Sequence, residues 1–215
     1  MAVVQNPVTG RSKQKYASAI FSTWKGINVL RSLPLTVANP KTPGQLLQRA
    51  KLSITVALYR LMPGVVKIGY RQQAVKKSEY NAFASDTLKN AFTGSTAETV
   101  EIDLTKLSVS KGTMAPTPTT LVVMNGDTME IGWDETAPLA PGQAATDQAN
   151  AVVIAKDQTS GLPVVLGTAS NVARSVGQID VLNVDQTGME ETTVYLYFAS
   201  TVGNQVSDSV YETPA

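Results

Sequence analysis

Residues 24 to 62 read WKGINVLRSLPLTVANPKTPGQLLQRAKLSITVALYRLM and contain the strongest structural signals in the chain. Thr42-Pro43-Gly44-Gln45 has the form of a capping box, in which a Thr hydroxyl accepts a first-turn N–H and Gln reaches back. Its Pro occupies the first helical position, where Pro is favoured. Pro63-Gly64 supplies a stop signal. The stretch therefore predicts one amphipathic helix between these two signals.

The predicted helix has an apolar face and a cationic face. Apolar residues recur at three- and four-residue steps, which is the spacing of a buried helix face. They are Leu46, Leu47, Ala50, Ile54, Ala57, Leu58 and Leu61. Gln, Ser, Lys and Arg fill most other positions, and residues 24 to 62 contain no acidic residue. We expect the apolar set in the core and the polar set in solvent.

The composition excludes the commonest catalytic and metal-binding chemistries. The 215 residues are 43% hydrophobic and 16% charged, which is typical of a globular protein with a real core. They include neither Cys nor His, which removes thiolate nucleophiles, imidazole bases and the usual zinc ligands. The N-terminus lacks a signal-peptide apolar segment, and no window approaches 18 apolar residues. We expect a soluble virion or cytoplasmic protein without a signal peptide or a membrane span.

Charge is strongly segregated along the chain. Residues 1 to 78 contain 13 of the 18 Lys and Arg residues and none of the 17 Asp and Glu residues. The two parts therefore have formal charges of +13 and −12, although the net charge is only +1. Such a pattern predicts a basic end that meets a polyanion or the acidic end of a neighbour. The other interpretation is that the unlike segments pair within one molecule.

The N-terminal part reads as an α+β domain. Apolar and polar residues alternate on both sides of Trp24-Lys25-Gly26, which predicts a β-hairpin. Ser78-Glu79 predicts the start of a second amphipathic helix, and Thr93-Gly94 its end. Residues 99 to 104 and 107 to 110 alternate like strands. We therefore expect two helices and about four strands in residues 1–113.

The C-terminal part reads as an all-β sandwich. Gly112 to Thr119 contains two prolines and small polar residues, so we expect a linker at residues 114–119 and an acidic domain at 120–215. Short segments of period-two patterning with turns between them are typical of a β-sandwich. The predicted strands cover residues 121–124, 129–133, 151–155, 164–167, 178–182, 193–200 and 206–211.

This part resembles a fibronectin type III or immunoglobulin-like module. Residues 129–133 are similar to the strand that carries the core Trp, here Trp133. Residues 194–198 and 203–208 are similar to the last hairpin of such a module. The resemblance implies a spacer, adhesive or docking unit and not a catalyst.

The whole chain also resembles a family of uncharacterised proteins of about 200 residues from Bacteroidota genomes and their phages. The words that carry this second resemblance are Trp24-Lys25-Gly26, Arg31, Asn39-Pro40-Lys41-Thr42-Pro43, Gln45, Gln48-Arg49-Ala50, Lys67-Ile68-Gly69-Tyr70, Tyr80-Asn81, Lys89-Asn90 and Ser207-Asp208-Ser209-Val210-Tyr211. It implies no activity, and a phage-like structural role is our inference from the setting of such proteins.

No residue pattern predicts a catalytic, cofactor or metal site. Glu190-Glu191 and Asp134-Glu135 are sequence neighbours, whose side chains point apart and cannot flank one substrate. Asn125-Gly126-Asp127 lacks the other oxygen ligands of a calcium loop, so a hairpin turn is favoured. Neither phosphate-binding glycine motif occurs. The sequence therefore favours a protein that is not an enzyme.

The charge pattern favours self-association. A contact between a basic end and an acidic end is head-to-tail, and such contacts build rings or filaments. We expect a homo-oligomer that also meets other assembly proteins, with Trp24, Lys25 and Arg31 of the hairpin clustering with Arg49. The predicted interaction residues are Trp24, Lys25, Arg31, Arg49, Lys51 and Arg60. The alternative is nucleic-acid binding by the basic half, whose aromatic residues could stack on bases.

Overall fold

The computed structural model describes residues 2–3, 14–16, 18–24, 27–33 and 39–214. These residues form two compact units, one up to residue 41 and one from residue 42 onward. The predicted linker at 114–119 lies inside the second unit. The division into domains at that linker stays a prediction, to be tested by unfolding and proteolysis.

The first unit contains an antiparallel sheet of four strands. These are β1 (Ala2–Val3), β2 (Gln14–Tyr16), β3 (Ala19–Trp24) and β4 (Ile27–Ser32). The spatial order is β1-β4-β3-β2. Strands β3 and β4 pair with Trp24 opposite Ile27, in the place of the predicted hairpin. The predicted turn residues Lys25 and Gly26 lie outside the described residues.

The second unit begins with three helices, where the sequence predicts two. They are α1 (Pro43–Leu61), α2 (Pro63–Gly69) and α3 (Glu79–Asn90). The stop predicted at Pro63-Gly64 is confirmed by the end of α1 at Leu61, but Pro63 also begins α2, which the sequence analysis did not predict, after a bend of 95°. Pro stops a preceding helix and equally suits the first position of a new one. A Pro that is interpreted only as the end of one helix therefore leaves the following helix unpredicted.

The two predicted helix starts are correct in position and differ in chemistry. Ser78 caps α3, and its hydroxyl accepts a hydrogen bond from the Asn81 N–H at 3.2 Å. Thr42 has the extended backbone of a cap, but its side chain accepts no hydrogen bond. The predicted capping box at residues 42 to 45 is therefore wrong in its hydrogen bond, and Pro43 remains the feature that marks the start of α1.

Strands dominate the rest of the second unit. Each of the seven strands predicted after residue 119 overlaps an observed one. They are β7 (Thr119–Asn125), β8 (Thr128–Trp133), β9 (Gln148–Asp157), β10 (Pro163–Ala173), β11 (Gln178–Val181), β12 (Met189–Ala199) and β13 (Val210–Glu212). Before them, β5 (Phe92–Thr93) pairs with β6 (Glu101–Ile102). The predicted strands at 99–104 and 107–110 are otherwise wrong, since residues 104–106 form a 3-10 helix and 107–110 are not in a strand.

The seven strands form two antiparallel sheets, ordered β10-β9-β12-β13 and β11-β8-β7. Alternate residues of β9 and β12 face opposite sides. On one side Val152, Ile154, Tyr195 and Tyr197 join a core with residues of all three helices. On the other side Val153, Leu196 and their neighbours join a core with β8 and β11. The four-stranded sheet is therefore the middle layer of three, covered on both faces.

Hydrogen bonds join the helix layer to the last strands through residues 108–114. The Ser110 hydroxyl lies within hydrogen-bonding distance of the Ser207 carbonyl at 2.6 Å and of the Gly69 carbonyl at 3.2 Å. The Gly112 N–H donates to Asp208 at 2.9 Å. A Cβ on Gly69 would lie 2.3 Å from the Val109 carbonyl oxygen, so only Gly fits. Residues 67–70 and 207–211 are two of the motifs on which the second resemblance depends. Both segments therefore bind to the same connecting residues, 108–114.

Candidate functional site

Helix α1 presents two predicted interaction residues on one exposed stripe. Arg49 and Arg60 are both exposed. Their separation of eleven positions is close to three full turns, so they lie on one side of the helix about 16 Å apart. Leu52, 43% exposed, lies near the same stripe. This side of α1 combines two guanidinium groups with apolar surface, a composition suited to a partner that carries carboxylates and apolar side chains.

The buried side of α1 is narrower than predicted. Only Thr55 and Leu58 are fully buried, whereas Leu46 and Leu61 of the predicted core face are 38% and 52% exposed. Lys51 lies on the inward side, with its ammonium nitrogen 5.7 Å from the centre of the Phe92 ring. Its charge is therefore directed at an aromatic face of its own chain.

The other predicted interaction residues belong to the first unit. Arg31 is exposed on β4. Trp24 ends β3, and its side chain lies outside the description, as does Lys25 entirely. The predicted cluster of these residues with Arg49 would cross between the two units, so it stays a prediction.

The outer face of the sheet β11-β8-β7 is acidic. Met129, Ile131, Ile179 and Val181 point into the core and are at most 1% exposed, so the residues between them point outward. The strand register places Asp180 directly opposite Glu130. Like charges in that position repel each other unless a cation lies nearby. Residues 119–135 and 178–191 contain no Lys or Arg, so these segments supply no cation of their own.

Apolar side chains flank these carboxylates on the edge strand β7. Val123 lies opposite Glu130 and is 41% exposed, and Leu121 is 44% exposed. Leu182, just after β11, is 63% exposed. Edge strands also present unpaired backbone groups that can bind another chain. We define the acidic face as Glu130, Asp180, Leu121 and Val123 together; its charge and apolar content complement the exposed stripe of α1.

A polar pocket of about 200 Å³ lies between the C-terminal end of α2 and α3. Asp86 accepts hydrogen bonds from Lys111 at 2.9 Å and Asn90 at 3.0 Å, and lies 3.0 Å from the Tyr70 hydroxyl. Burial and the nearby Asp86 charge raise the pKa of Tyr70 far above its usual value. Tyr70 therefore stays protonated near neutral pH and cannot act as a base there. The network links α3 to the C-terminal end of α2 and to Lys111.

Two of the carboxylates considered as catalytic candidates, Asp134 and Glu191, have partners within the chain. Asp134 accepts bonds from the N–H and hydroxyl of Thr136 at 2.9 and 2.7 Å, and the hydroxyl bond is the main cause of the lowered pKa of Asp134. Glu191 pairs with Lys156 at 2.8 Å. Asp127 lies in the turn between β7 and β8, as expected from its sequence. Among the described residues, no group of three Asp or Glu side chains is placed to hold a metal ion.

One buried ion pair escaped the sequence analysis. Arg174 and Asp147 are 4% and 1% exposed, and their nearest charged atoms are 3.7 Å apart. The Arg174 guanidinium carbon lies 3.8 Å from the centre of the Phe198 ring, and its Nη1 donates to the Thr117 hydroxyl. The Trp133 indole N–H donates to the Arg174 carbonyl at 2.8 Å. This cluster holds the segments around residues 117, 147 and 174 against the core. These positions are far apart in the sequence, so local residue spacing could not predict the ion pair.

No single helix of the described residues is long and apolar enough to span a membrane. Helices α1 and α2 satisfy length and composition only when taken together, across their 95° bend.

The profile of a family of unknown function, DUF6266, matches residues 10–213. No curated protein matches the chain.

Proposed function

This chain belongs to the DUF6266 family of unknown function, and from that premise we propose that it is a non-enzymatic structural protein that self-associates head to tail. The exposed stripe of α1 in one copy docks on the acidic face of the next. The two surfaces differ, so the contact is heterologous and repeats as a ring or a filament. The observation that carries the proposal is Asp180 opposite Glu130 on a sheet face without Lys or Arg.

Charge and apolar surface both contribute to this contact. Arg49 and Arg60 supply guanidinium groups, which form paired hydrogen bonds with carboxylates such as Glu130. Leu52 on α1 and Val123 on β7 supply exposed apolar area next to those charges. Burial of this area stabilises the contact, whereas the charges set its orientation and rate of formation.

Light scattering of the purified protein across salt concentrations tests the proposal. Added salt shortens the screening length from about 10 Å at 0.1 M to about 3 Å at 1 M, so the mean mass should fall. Arg60→Glu and Glu130→Lys should each weaken association about tenfold or more at 0.1 M, because each places like charges across the contact. The double variant exchanges one charge between the two surfaces and should regain association.

Glu98→Lys is the matched control, since it makes the same change in net charge at an exposed position outside both surfaces. It should leave association unchanged. A protein that stays monomeric at every salt concentration contradicts the proposal. Equal weakening by Glu98→Lys and Glu130→Lys would show that net charge, and not this contact, controls association.

The alternative function is nucleic-acid binding by the basic half. Arg49 and Arg60 on one side of α1 could contact phosphates about 16 Å apart. A short DNA added to the same samples separates the two functions. A monomer that gains mass only with DNA supports the alternative, and oligomers without DNA support assembly.

We also propose that the two packed sheets form a fibronectin type III-like sandwich. Three observations support this: a three-stranded sheet packs on a four-stranded one, their order is β11-β8-β7 and β10-β9-β12-β13, and Trp133 is buried in the second strand of the set. Such a module suits a docking role. We propose further that the protein is a component of Bacteroidota phage particles. Mass spectrometry of particles purified from a phage-producing culture tests this.

A further inference from the structure

A cavity of about 140 Å³ lies between α2 and the middle sheet, apart from both docking surfaces. Its wall on the helix side is formed by Val65 and Ile68 of α2. Its floor is formed by Asn150 and Tyr197, which lie opposite each other on β9 and β12. Exposed Thr168 and Ser170 of β10 lie at its mouth. The cavity therefore has an apolar wall, a polar floor and an opening to solvent.

The amide of Asn150 is incompletely bonded. Asn150 is only 2% exposed, and its Nδ2 donates to the Gln148 carbonyl at 3.0 Å. Its Oδ1 is buried and has no hydrogen-bond partner within the described part of the chain. A buried acceptor without a partner costs about 1–3 kcal/mol. The Asn150 oxygen is thus a site that a hydrogen-bond donor in the cavity would satisfy.

The Tyr197 hydroxyl, which is the other polar group on the floor, offers an acceptor to the cavity. The Tyr197 hydroxyl donates its one hydrogen to the Val65 carbonyl at 3.1 Å, so only its oxygen lone pairs remain. Burial raises the pKa of Tyr197, which keeps the hydroxyl neutral. Among the residues that the structure describes, no charged side chain lines the cavity. The floor is therefore complementary to a neutral donor and offers nothing to balance an ion.

We propose that this cavity binds a neutral small molecule that combines a ring or short alkyl part with one hydroxyl or amide donor. The donor bonds Asn150 Oδ1, and the apolar part packs on Val65 and Ile68. The volume is close to that of engineered cavities of about 150 Å³ that admit benzene.

Phenol and toluene form a matched pair of probes, because they have the same size and differ in one hydroxyl. Phenol should bind saturably in a titration followed by NMR, with shifts at Ile68 and Val65, and toluene should bind more weakly. Asn150→Leu removes the acceptor at similar volume and should weaken phenol binding about tenfold while sparing toluene. Asn81→Leu, an exposed amide on α3, is the control and should change neither.

Ser170→Phe provides a second variant if Asn150→Leu does not fold. Ser170 is exposed, so the larger side chain should close the mouth without disturbing the core. It should abolish binding of both probes. The proposal is overturned if phenol does not saturate the protein, if it binds Asn150→Leu as tightly as the unmodified chain, or if a crystal soaked in phenol shows only water at Asn150.

Discussion

The two faces of the middle sheet are covered by different means. The face toward β8 and β11 packs aliphatic side chains, Trp133 and Phe198, and its polar content is concentrated in the Arg174–Asp147 pair at one end. The face toward the helices contains two buried tyrosines whose hydroxyls reach across the layer. Tyr195 donates to the Leu104 carbonyl at 2.5 Å and Tyr197 to the Val65 carbonyl at 3.1 Å.

The difference follows from what each covering layer presents. Strands of the opposite sheet satisfy their own backbone groups in the ladder, so they offer apolar side chains alone. Short helices and loops present carbonyl oxygens to the sheet, and the Leu104 carbonyl, which also accepts from the Leu107 N–H at 3.3 Å, accepts a second hydrogen bond from the Tyr195 hydroxyl. The helix layer is therefore positioned by directed hydrogen bonds as well as by apolar burial, and its imperfect fit leaves the cavity at Asn150.

Asp147→Ala should have the largest effect on the sandwich side. It leaves the Arg174 guanidinium buried without its counter-charge, which we expect to lower the free energy of unfolding by about 3–5 kcal/mol. Urea unfolding followed by circular dichroism measures the change. Glu191→Ala is the control, because it breaks the closer but partly exposed pair with Lys156 and should cost about 0–1 kcal/mol.

A second variant separates the lost charge pair from lost packing. Asp147→Leu combined with Arg174→Met replaces both charged groups by apolar ones and should recover most of the stability. If Asp147→Ala costs no more than Glu191→Ala, the buried pair does not hold this end of the sandwich.

Leu58→Ala tests whether the helix side and the sandwich side unfold together. Leu58 is fully buried among residues of the helices and the middle sheet, so the cavity should cost about 2–5 kcal/mol. Because the core is shared, helical circular dichroism and Trp133 fluorescence should shift to the same urea midpoint. The measurement uses a Trp24→Phe background, which leaves Trp133 as the single Trp.

The alternative outcome would restore the predicted division at 114–119. If only the helical signal shifts, the helices and the sandwich are separate folding units. Limited proteolysis between residues 114 and 120 gives an independent answer. Met114 is buried and its N–H donates to the Val206 carbonyl at 3.0 Å, so these contacts predict protection of the segment.

Local signals in the sequence predicted the elements well and the layers poorly. Ser78 located α3, and alternation located the seven strands of the two packed sheets. The sequence analysis did not predict that helices cover the middle sheet, although the apolar runs at residues 149–155 and 194–199 indicate such a cover. Near-continuous apolar runs of this kind indicate strands buried on both faces, in contrast to the alternation of a two-layer sandwich.

The candidate sites show the same limit. The charge segregation pointed to Arg49 and Arg60, whose common stripe follows from helical spacing. It also selected Lys51, which the helix turns inward toward Phe92. The acidic face depends on which residues of β8 and β11 lie opposite each other, and the Asn150 cavity depends on three strands and α2. Neither arrangement can be obtained from spacing along one segment.

Tyr195→Phe should have a moderate effect, confined to the helix side. It removes the shorter of the two hydrogen bonds that the Leu104 carbonyl accepts, the other coming from the Leu107 N–H at 3.3 Å, and should cost about 0.5–1.5 kcal/mol at neutral pH. Burial raises the pKa of Tyr195, so the folded state holds its proton where the unfolded state releases it. The contribution of Tyr195 to the free energy of unfolding is therefore complete below about pH 10 and is lost as the pH rises further.

Unfolding measured at pH 7 and above pH 10 checks both parts of this prediction. The difference between Tyr195→Phe and the unmodified chain should shrink at the higher pH. Tyr211→Phe is the control, because Tyr211 is 45% exposed and should change neither value. A constant difference across this range would contradict the assignment of a raised pKa to Tyr195.

Asp103→Asn should have the smallest effect and acts at the opposite end of the pH scale. The hydrogen bond from Lys106, followed by that from Thr105, lowers the pKa of Asp103 to about 2. In the unfolded chain the Asp103 carboxyl titrates near pH 4. The stabilisation that ionised Asp103 gives to the folded state is therefore complete above about pH 4 and disappears as the pH falls through about 2. Lys106 is largely exposed, so solvent limits the contribution to less than about 1 kcal/mol. Acid titration followed by circular dichroism should show a weaker dependence between pH 4 and 2 in the variant. An unchanged acid profile would show that the Asp103–Lys106 pair, although only 2.6 Å long, adds nothing to the attachment of the 3-10 helix below Tyr195.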